Sequence, residues 1–548
     1  MPPSLTIDFP KKIDLINEDL ESLLSKMKIS NLKLVIPKNP CRVELPKLAF
    51  NGGSFLIPQG VRQLHIETMG ENLWNIKSSI PSDFIHKSFI PPYVTKLIIE
   101  GKFNKALSLD SNQDPNCESV NGYYGILPQA LEYLKLGNEY DQSLHNLPPH
   151  LKVLKLGNKF NLPLSDLPLY LRYLSIGFNF NQGVSKLPPN LSILKIRGTR
   201  FNQSVDDLPK TLKELIFTDS KYFYQPTLVL PHNLIRLELP WRFNQEIHHL
   251  NYLKSLSILI FTDEFNKPVD DLPPNIIKLR FGKNFNQPID SLPSNLIKLF
   301  LGYCFNQPID HLPSSLLKLK LGKQFNQYID HLPDNLRKLQ IGNKCEVINN
   351  FNKAIDNLPS NLTYLHVGDF FNREMNYLPE SLKILKTGIF FNQRIDFLPP
   401  NLKRLSLSYD FNKRIDHLPT SLSHLKLGYS FNKPIDSLPK SLHTLKLSYR
   451  FNHAIDNLSP NLHTLKLDAI FNQPLSNIPK HMRTLILGHC FNQSISNLPD
   501  SIEHLQLGGS FSQSIISLPS SLKTITLRGS KLSQKSLRFI KELGIVVG

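Results

Sequence analysis

The residues best suited to chemistry in this 548-residue chain stand in the segment IDHLPSS, where Asp310, His311 and Ser314 lie close together. A carboxylate, an imidazole and a hydroxyl are the parts of a nucleophilic triad, in which Asp orients His and His takes the proton of Ser. His331 beside Asp330 and His417 beside Asp416, however, occupy the same place in a repeating phrase. Catalysis needs one constellation in one geometry, and this one is iterated. The His and Asp rows therefore read as solvated loop residues, in preference to a metal site shared between repeats. Asp290, Asp310, Asp330, Asp396, Asp416 and Asp436 are expected to cap the turn before Leu-Pro, because Asp accepts local backbone hydrogen bonds. The sequence contains no phosphate-binding loop, HExxH or GxSxG motif. It reads as a non-enzyme with no cofactor and no metal.

The elements that place these residues follow from the repeat. FNQPIDHLPSSLLKLKLGKQ (305–324) is followed directly by FNQYIDHLPDNLRKLQIGNK (325–344). Phe recurs at 285, 305 and 325, then at 351 and every 20 residues to 511, the one excess falling within NKCEVINN (343–350). Upstream, Tyr140, Phe160, Phe180, Phe201, Phe223, Phe243 and Phe265 keep the phase with spacings of 20 to 22, and Phe103 opens the series. A fixed period of this length marks a solenoid whose units contact chiefly their neighbours. The excess at 343–350 is expected as a loop at the edge of an unbroken sheet.

Within each phrase, Leu319 and Leu321 alternate with Lys318 and Lys320, the period-two pattern of a short strand with one face buried and one wet. Strands are expected at positions equivalent to 317–321. Gly322 ends the strand, Phe325 enters the core, and Leu312 and Leu316 are expected inward around Pro313. Twenty residues leave no room for a full helix, so the return arc must be polyproline-like or a tight turn. The fold class is mainly β: a slim right-handed coil of ~20-residue repeats, with one parallel β-sheet on its concave face and little helix except in end caps. Asn follows the aromatic in seventeen of twenty phases, among them Asn286, Asn306, Asn326, Asn392 and Asn432, and reads as an internal amide ladder that satisfies backbone groups no sheet reaches.

The iterated Leu-x-x-Leu-x-Leu-Gly resembles the leucine-rich repeat, and LPSSLLKLKLG is similar to the short helix-free repeats of bacterial effectors. FNQPID goes further and resembles the FNIP repeat family of social amoebae and large amoeba-infecting DNA viruses, over roughly residues 103–529. The resemblance implies a protein interaction module. Some members also carry an F-box that recruits a ubiquitin ligase, but residues 1–47 show none, and LINEDLESLLSKM (15–27) reads as a capping helix. Residues 1–102 are expected to form an N-terminal cap with degenerate repeats, 103–529 the solenoid and 530–548 a helical cap with Ser533 as its N-cap and Gly544 as its stop. The polar stretch 109–125 reads as a loop.

Charge supplies the one pointer to a partner. The net charge is +18. In the thirteen strands from Lys278 to Thr524, eleven of the 26 outward sites are Lys or Arg and none is Asp or Glu. The eleven are Lys278, Arg280, Lys298, Lys318, Lys320, Lys338, Lys386, Arg404, Lys426, Lys446 and Lys466, edged by Tyr409, Tyr429 and Tyr449 in one phase, which Tyr303 repeats. A basic face either keeps a naked sheet soluble or holds an acidic protein partner, with nucleic acid or another polyanion as the alternative ligand of the same face. The opening residues lack the apolar run of a signal peptide, no stretch reaches membrane-spanning length, and five scattered cysteines fit a reducing compartment. An intracellular, monomeric protein that is neither secreted nor membrane-bound is expected.

Overall fold

The computed structural model describes residues 4–8, 31–36, 62–68, 90, 93–104, 107, 127–223, 225, 229–342, 349–529, 531–542 and 546–547. It divides into two compact units, Met1–Phe265 and Asn266–Gly548. In the first, strands Ser4–Asp8, Asn31–Ile36, Gln63–Thr68 and Lys96–Gly101 pair successively, and Lys96–Gly101 pairs with Tyr133–Leu136. One strand per repeat follows to Ile258–Ile260. In the second, strands recur from Lys278–Arg280 to Thr524–Leu527, where Val546–Val547 adds a last pairing. Every pairing within each unit is parallel and in register; Leu299, Leu319 and Leu339, for example, are successive partners. The strands are as short as the pattern requires, Lys318–Leu321 among them. Lys338–Ile341 pairs with Tyr364–His366 across the six-residue excess, so the sheet is unbroken there.

The core is built from the same few positions of each repeat. Leu316, Leu319, Leu321 and Phe325 are fully shielded from water. The phenyl rings stack along each unit: Phe285, Phe305 and Phe325 lie 6.1 and 6.2 Å apart with planes within 5°. Such offset stacking adds about 0.5–1.5 kcal/mol per pair beyond the burial of the rings. One inward assignment differs. Leu312 is only half-buried, and Ile309 fills the core in its place. The Leu-Pro turn begins one residue after Leu312, so that side chain sits at the rim while Ile309 points in.

The return arc consists of turns. Leu316 N–H donates to Pro313 O at 3.1 Å, and Phe431 N–H to Gly428 O at 3.3 Å, a pattern that recurs from repeat to repeat. Among the described residues the helix content is a single 3-10 turn, His248–Leu250, and the helix Gln534–Glu542. A Cβ on Gly322 would collide with the carbonyl of Gly302 one repeat earlier, which is why the tightest point of this arc is glycine. The C-terminal helix is N-capped as its sequence implies: Ser536 N–H donates to Ser533 Oγ at 3.2 Å. Its Ser536 Oγ accepts from Ile515 N–H at 3.2 Å, so the helix closes backbone groups of the last repeat. The capping helix expected at 15–27, the loop at 109–125 and residues 343–348 lie outside the described residues.

The asparagine row is a ladder, with one correction. Asn306 N–H donates to Asn286 Oδ1 and Asn326 N–H to Asn306 Oδ1, both at 2.8 Å, while Gln327 Nε2 donates to Asn306 O at 3.0 Å. The ladder even crosses the six-residue excess, Asn352 N–H reaching Asn326 Oδ1 at 3.1 Å. It is not internal throughout. Asn306 is half-buried, and Asn432 is exposed although its Oδ1 accepts from Asn452 N–H at 3.2 Å. The amides therefore work at the edge of the core, where water competes for them.

Candidate interaction face

Because strand residues alternate between the two sheet faces, the register stacks the outward side chains into two rows. In the second unit Lys278, Lys298, Lys318 and Lys338 are direct partners on four consecutive strands. Lys426, Lys446 and Lys466 occupy the other row on three consecutive strands. Arg280, Lys298, Lys338, Arg404, Lys426 and Lys446 are exposed, and Lys278, Lys318, Lys320, Lys386 and Lys466 are half-buried. The eleven predicted cations thus share one face.

Their compensation is sparse. Lys466 Nζ lies 3.1 Å from the carboxylate of Asp468, just beyond its strand. Apart from Lys320, the other cations on this face have no carboxylate partner among the described residues. Aromatic rings take that place at four of them. Phe300 lies between Lys278 and Lys318, whose Nζ atoms are 5.9 and 5.0 Å from the ring centre. Tyr364 lies between Lys338 and Lys386 at 5.2 and 5.6 Å. A cation over a ring face gains about 0.5–1 kcal/mol at an exposed site and keeps its charge. Burial first, then the charges of Lys338, Lys298 and Lys278, hold the Lys318 ammonium below the usual lysine range. Similarly, burial and then Arg404, His443 and Lys446 lower His424 below the ordinary histidine value.

The tyrosine row is present. Tyr409 and Tyr429 stack at 4.5 Å and 4°, Tyr429 and Tyr449 at 4.6 Å and 13°, and Arg450 lies over Tyr429 at 5.6 Å. Tyr303 sits apart from them, between Lys283 and Lys323, each 5.7 Å from its ring centre. The sequence reading missed Phe300 and Tyr364 as cation partners. Their signal was available, since both occupy outward strand positions between lysines, but an outward aromatic is usually read as packing. It also missed the stacked pair His443 and His463, 5.2 Å apart.

The His residues are solvated as expected, His311 and His417 being exposed, but the Asp residues seen to have partners do not cap their own turns. Asp290 Oδ1 meets His311 Nδ1 of the next repeat at 3.2 Å, and Asp396 meets His417 at 3.5 Å. Asp416 pairs with Arg414 at 2.7 Å, and Asp436 accepts from Asn457 at 3.5 Å. The carboxylates reach along the repeats or to a neighbouring cation because the Leu-Pro turn closes its own backbone bond and needs no cap. Among the described residues no group of three or more His, Cys, Asp or Glu could hold a metal ion, and no helix is long and apolar enough to cross a membrane.

Comparison with known proteins agrees with this architecture. The family model for the FNIP repeat matches residues 124–159, 265–304, 305–344, 351–390, 374–410, 411–450 and 491–530. No curated protein matches in sequence. Among solved structures the chain is similar to CroV588, a circular leucine-rich-repeat protein from a giant virus, at 28% identity and a TM-score of 0.68 over 95% of this chain and 85% of that one. It also matches YopM from Yersinia enterocolitica at 20% identity and a TM-score of 0.41, over 78% of this chain and 91% of that one. A chain of the mouse RP105/MD-1 complex matches at 15% identity and a TM-score of 0.46, over 95% and 91% respectively.

Proposed function

This chain is an FNIP-repeat protein with a leucine-rich-repeat fold, and on that premise we propose that it is a non-enzymatic scaffold holding an acidic protein partner along the basic sheet face of its second unit. The observation that carries this reading is the lack of compensation. Like charges on directly opposed strand residues destabilise a sheet, and the row Lys278, Lys298, Lys318, Lys338 repeats that opposition three times. A partner bearing carboxylates removes the repulsion and gains charge-assisted hydrogen bonds in its place. The stacked Tyr409, Tyr429 and Tyr449 give the same face an apolar margin suited to protein side chains. The protein acts as a monomer inside the cell on this reading.

The same cations admit a second reading, in which the ligand is nucleic acid. A salt series distinguishes the two. Binding of duplex or single-stranded nucleic acid with a log-log salt slope equivalent to several phosphates favours nucleic acid. Retention that is weak, indifferent to sequence and gone at physiological salt leaves the acidic protein. Changing Lys298, Lys318 and Lys338 together to Glu should abolish capture of the partner with the fold intact, because these side chains leave the sheet on its solvent side. Unchanged capture would refute the face as the binding surface.

A further inference from the structure

The spacing of the lysine row restricts the conformation of what binds there. Resting on the function proposed above, we infer that the partner's contact segment is an acidic α-helix laid across the strands, with one carboxylate per turn entering the row Lys278, Lys298, Lys318, Lys338 and an apolar turn following over Tyr364 and Ile384.

The row's period comes from the sheet. Its four lysines are register partners on consecutive parallel strands, so their stems leave the sheet about 4.8 Å apart. An extended peptide lying along the row presents same-side residues roughly every 6.7 Å, and falls about 2 Å further out of step at each strand. An α-helix with acids alternately three and four residues apart presents one carboxylate per turn, about every 5.4 Å. Its drift is about 0.6 Å per strand, which a four-carbon lysine stem absorbs. A duplex strand carries charges every ~3.4 Å along its axis but winds away from any straight row.

What continues the row fixes the rest of the pattern. Tyr364 is the register partner of Lys338, and Ile384 of Tyr364; both are half-buried strand residues on the outward face. The row therefore changes from four cations to two apolar groups without interruption. From Lys278 to Ile384 is five strand steps, about 24 Å, the length of roughly 16 helical residues. Phe300, on the strand between them, holds Lys278 and Lys318 by its ring and so restrains both side chains before the helix arrives.

The test uses the full-length protein and three synthetic probes: a stapled helical peptide with Glu once per turn followed by a Leu turn, a peptide of the same composition interrupted by proline, and duplex DNA. The helical peptide should bind at least about tenfold more tightly than the interrupted one. Lys298→Glu with Lys318→Glu should remove that preference, and a peptide carrying Lys at the two facing positions should restore it. If the double Glu variant does not fold, Lys298→Gln with Lys318→Gln should give a smaller loss in the same direction. Equal affinity for the helical and interrupted peptides would overturn the helix while leaving the acidic partner intact. Absence of salt-sensitive binding by either peptide would overturn the partner class as well, and so would tighter binding of duplex DNA than of the helix.

Discussion

The sheet face of the first unit and that of the second are built on the same parallel register, yet only the first sets carboxylates among its outward cations. In the first, Glu100 receives both Lys135 and His65 from neighbouring strands, the latter at 2.9 Å. Arg236 is flanked by Glu238 at 3.3 Å and Glu214 at 3.9 Å. Lys155 stands between the rings of Tyr133 and Tyr173, 5.3 Å from each. In the second unit no outward position in the thirteen strands is acidic. A wet sheet face of this fold therefore stays solvated with paired charges, and solubility alone does not call for an uncompensated row. That difference favours a ligand for the second face over a merely protective role.

If the two units differ at the face and not in the core, equivalent core deletions should cost the same. Phe160→Ala in the first unit and Phe305→Ala in the second each remove a fully buried ring of the stack. Each should destabilise by about 3–5 kcal/mol in denaturant unfolding. A cost confined to one unit would break the comparison at its base.

The ladder gives a graded, smaller effect. Asn306→Ala deprives Asn326 N–H of its acceptor and should cost about 1 kcal/mol. The exposed Asn432 should cost less on the same change, because water takes its place. Thermal melting of the two variants reads the order.

Lysine neutralisation should then change sign between the units. Lys135→Met takes a partner from Glu100 and should lower stability by up to about 1 kcal/mol. Lys298→Met relieves repulsion from Lys278 and Lys318 without removing a ring contact or an ion pair, and should raise stability slightly while weakening binding of the proposed acidic partner. The same sign in both units would remove the distinction.

A pH titration sharpens it by the least. The hydrogen bond from Lys135, above all, holds Glu100 below its ordinary value of 4.5. A depressed carboxyl contributes stability that is fully present above the unfolded pKa and disappears as pH falls through the folded one. The first unit should thus lose a small increment below about pH 4.5 that Lys135→Met diminishes, as followed by melting temperature against pH.

The iterated features were readable in advance because repetition averages out local ambiguity. Strand positions, the buried rings, the asparagine ladder and the absence of repeat helices each rest on a residue type recurring in phase. Single-residue geometry was not readable in this way. Whether Leu312 or Ile309 turns inward depends on where the Leu-Pro turn starts, and the two differ by only three residues. The Asp row reads as local caps because Asp commonly caps; partners such as His311 for Asp290 sit one repeat away, where sequence proximity gives no hint. The basic face was legible as a count of charges. Its ordering by Phe300 and Tyr364 required knowing which strands are neighbours.

The central claim is that the second unit's cations, and not the first unit's, hold an acidic partner. Binding of poly-L-glutamate to the protein should be measured beside two triple variants, Lys298, Lys318 and Lys338 to Glu, and Lys135, Lys155 and Lys195 to Glu. The second-unit variant should lose binding and its salt dependence, exposed charges being screened beyond about 8–10 Å, while the first-unit variant binds as the unaltered protein does. Equal losses in both variants, or no loss in the second-unit one, would contradict the account.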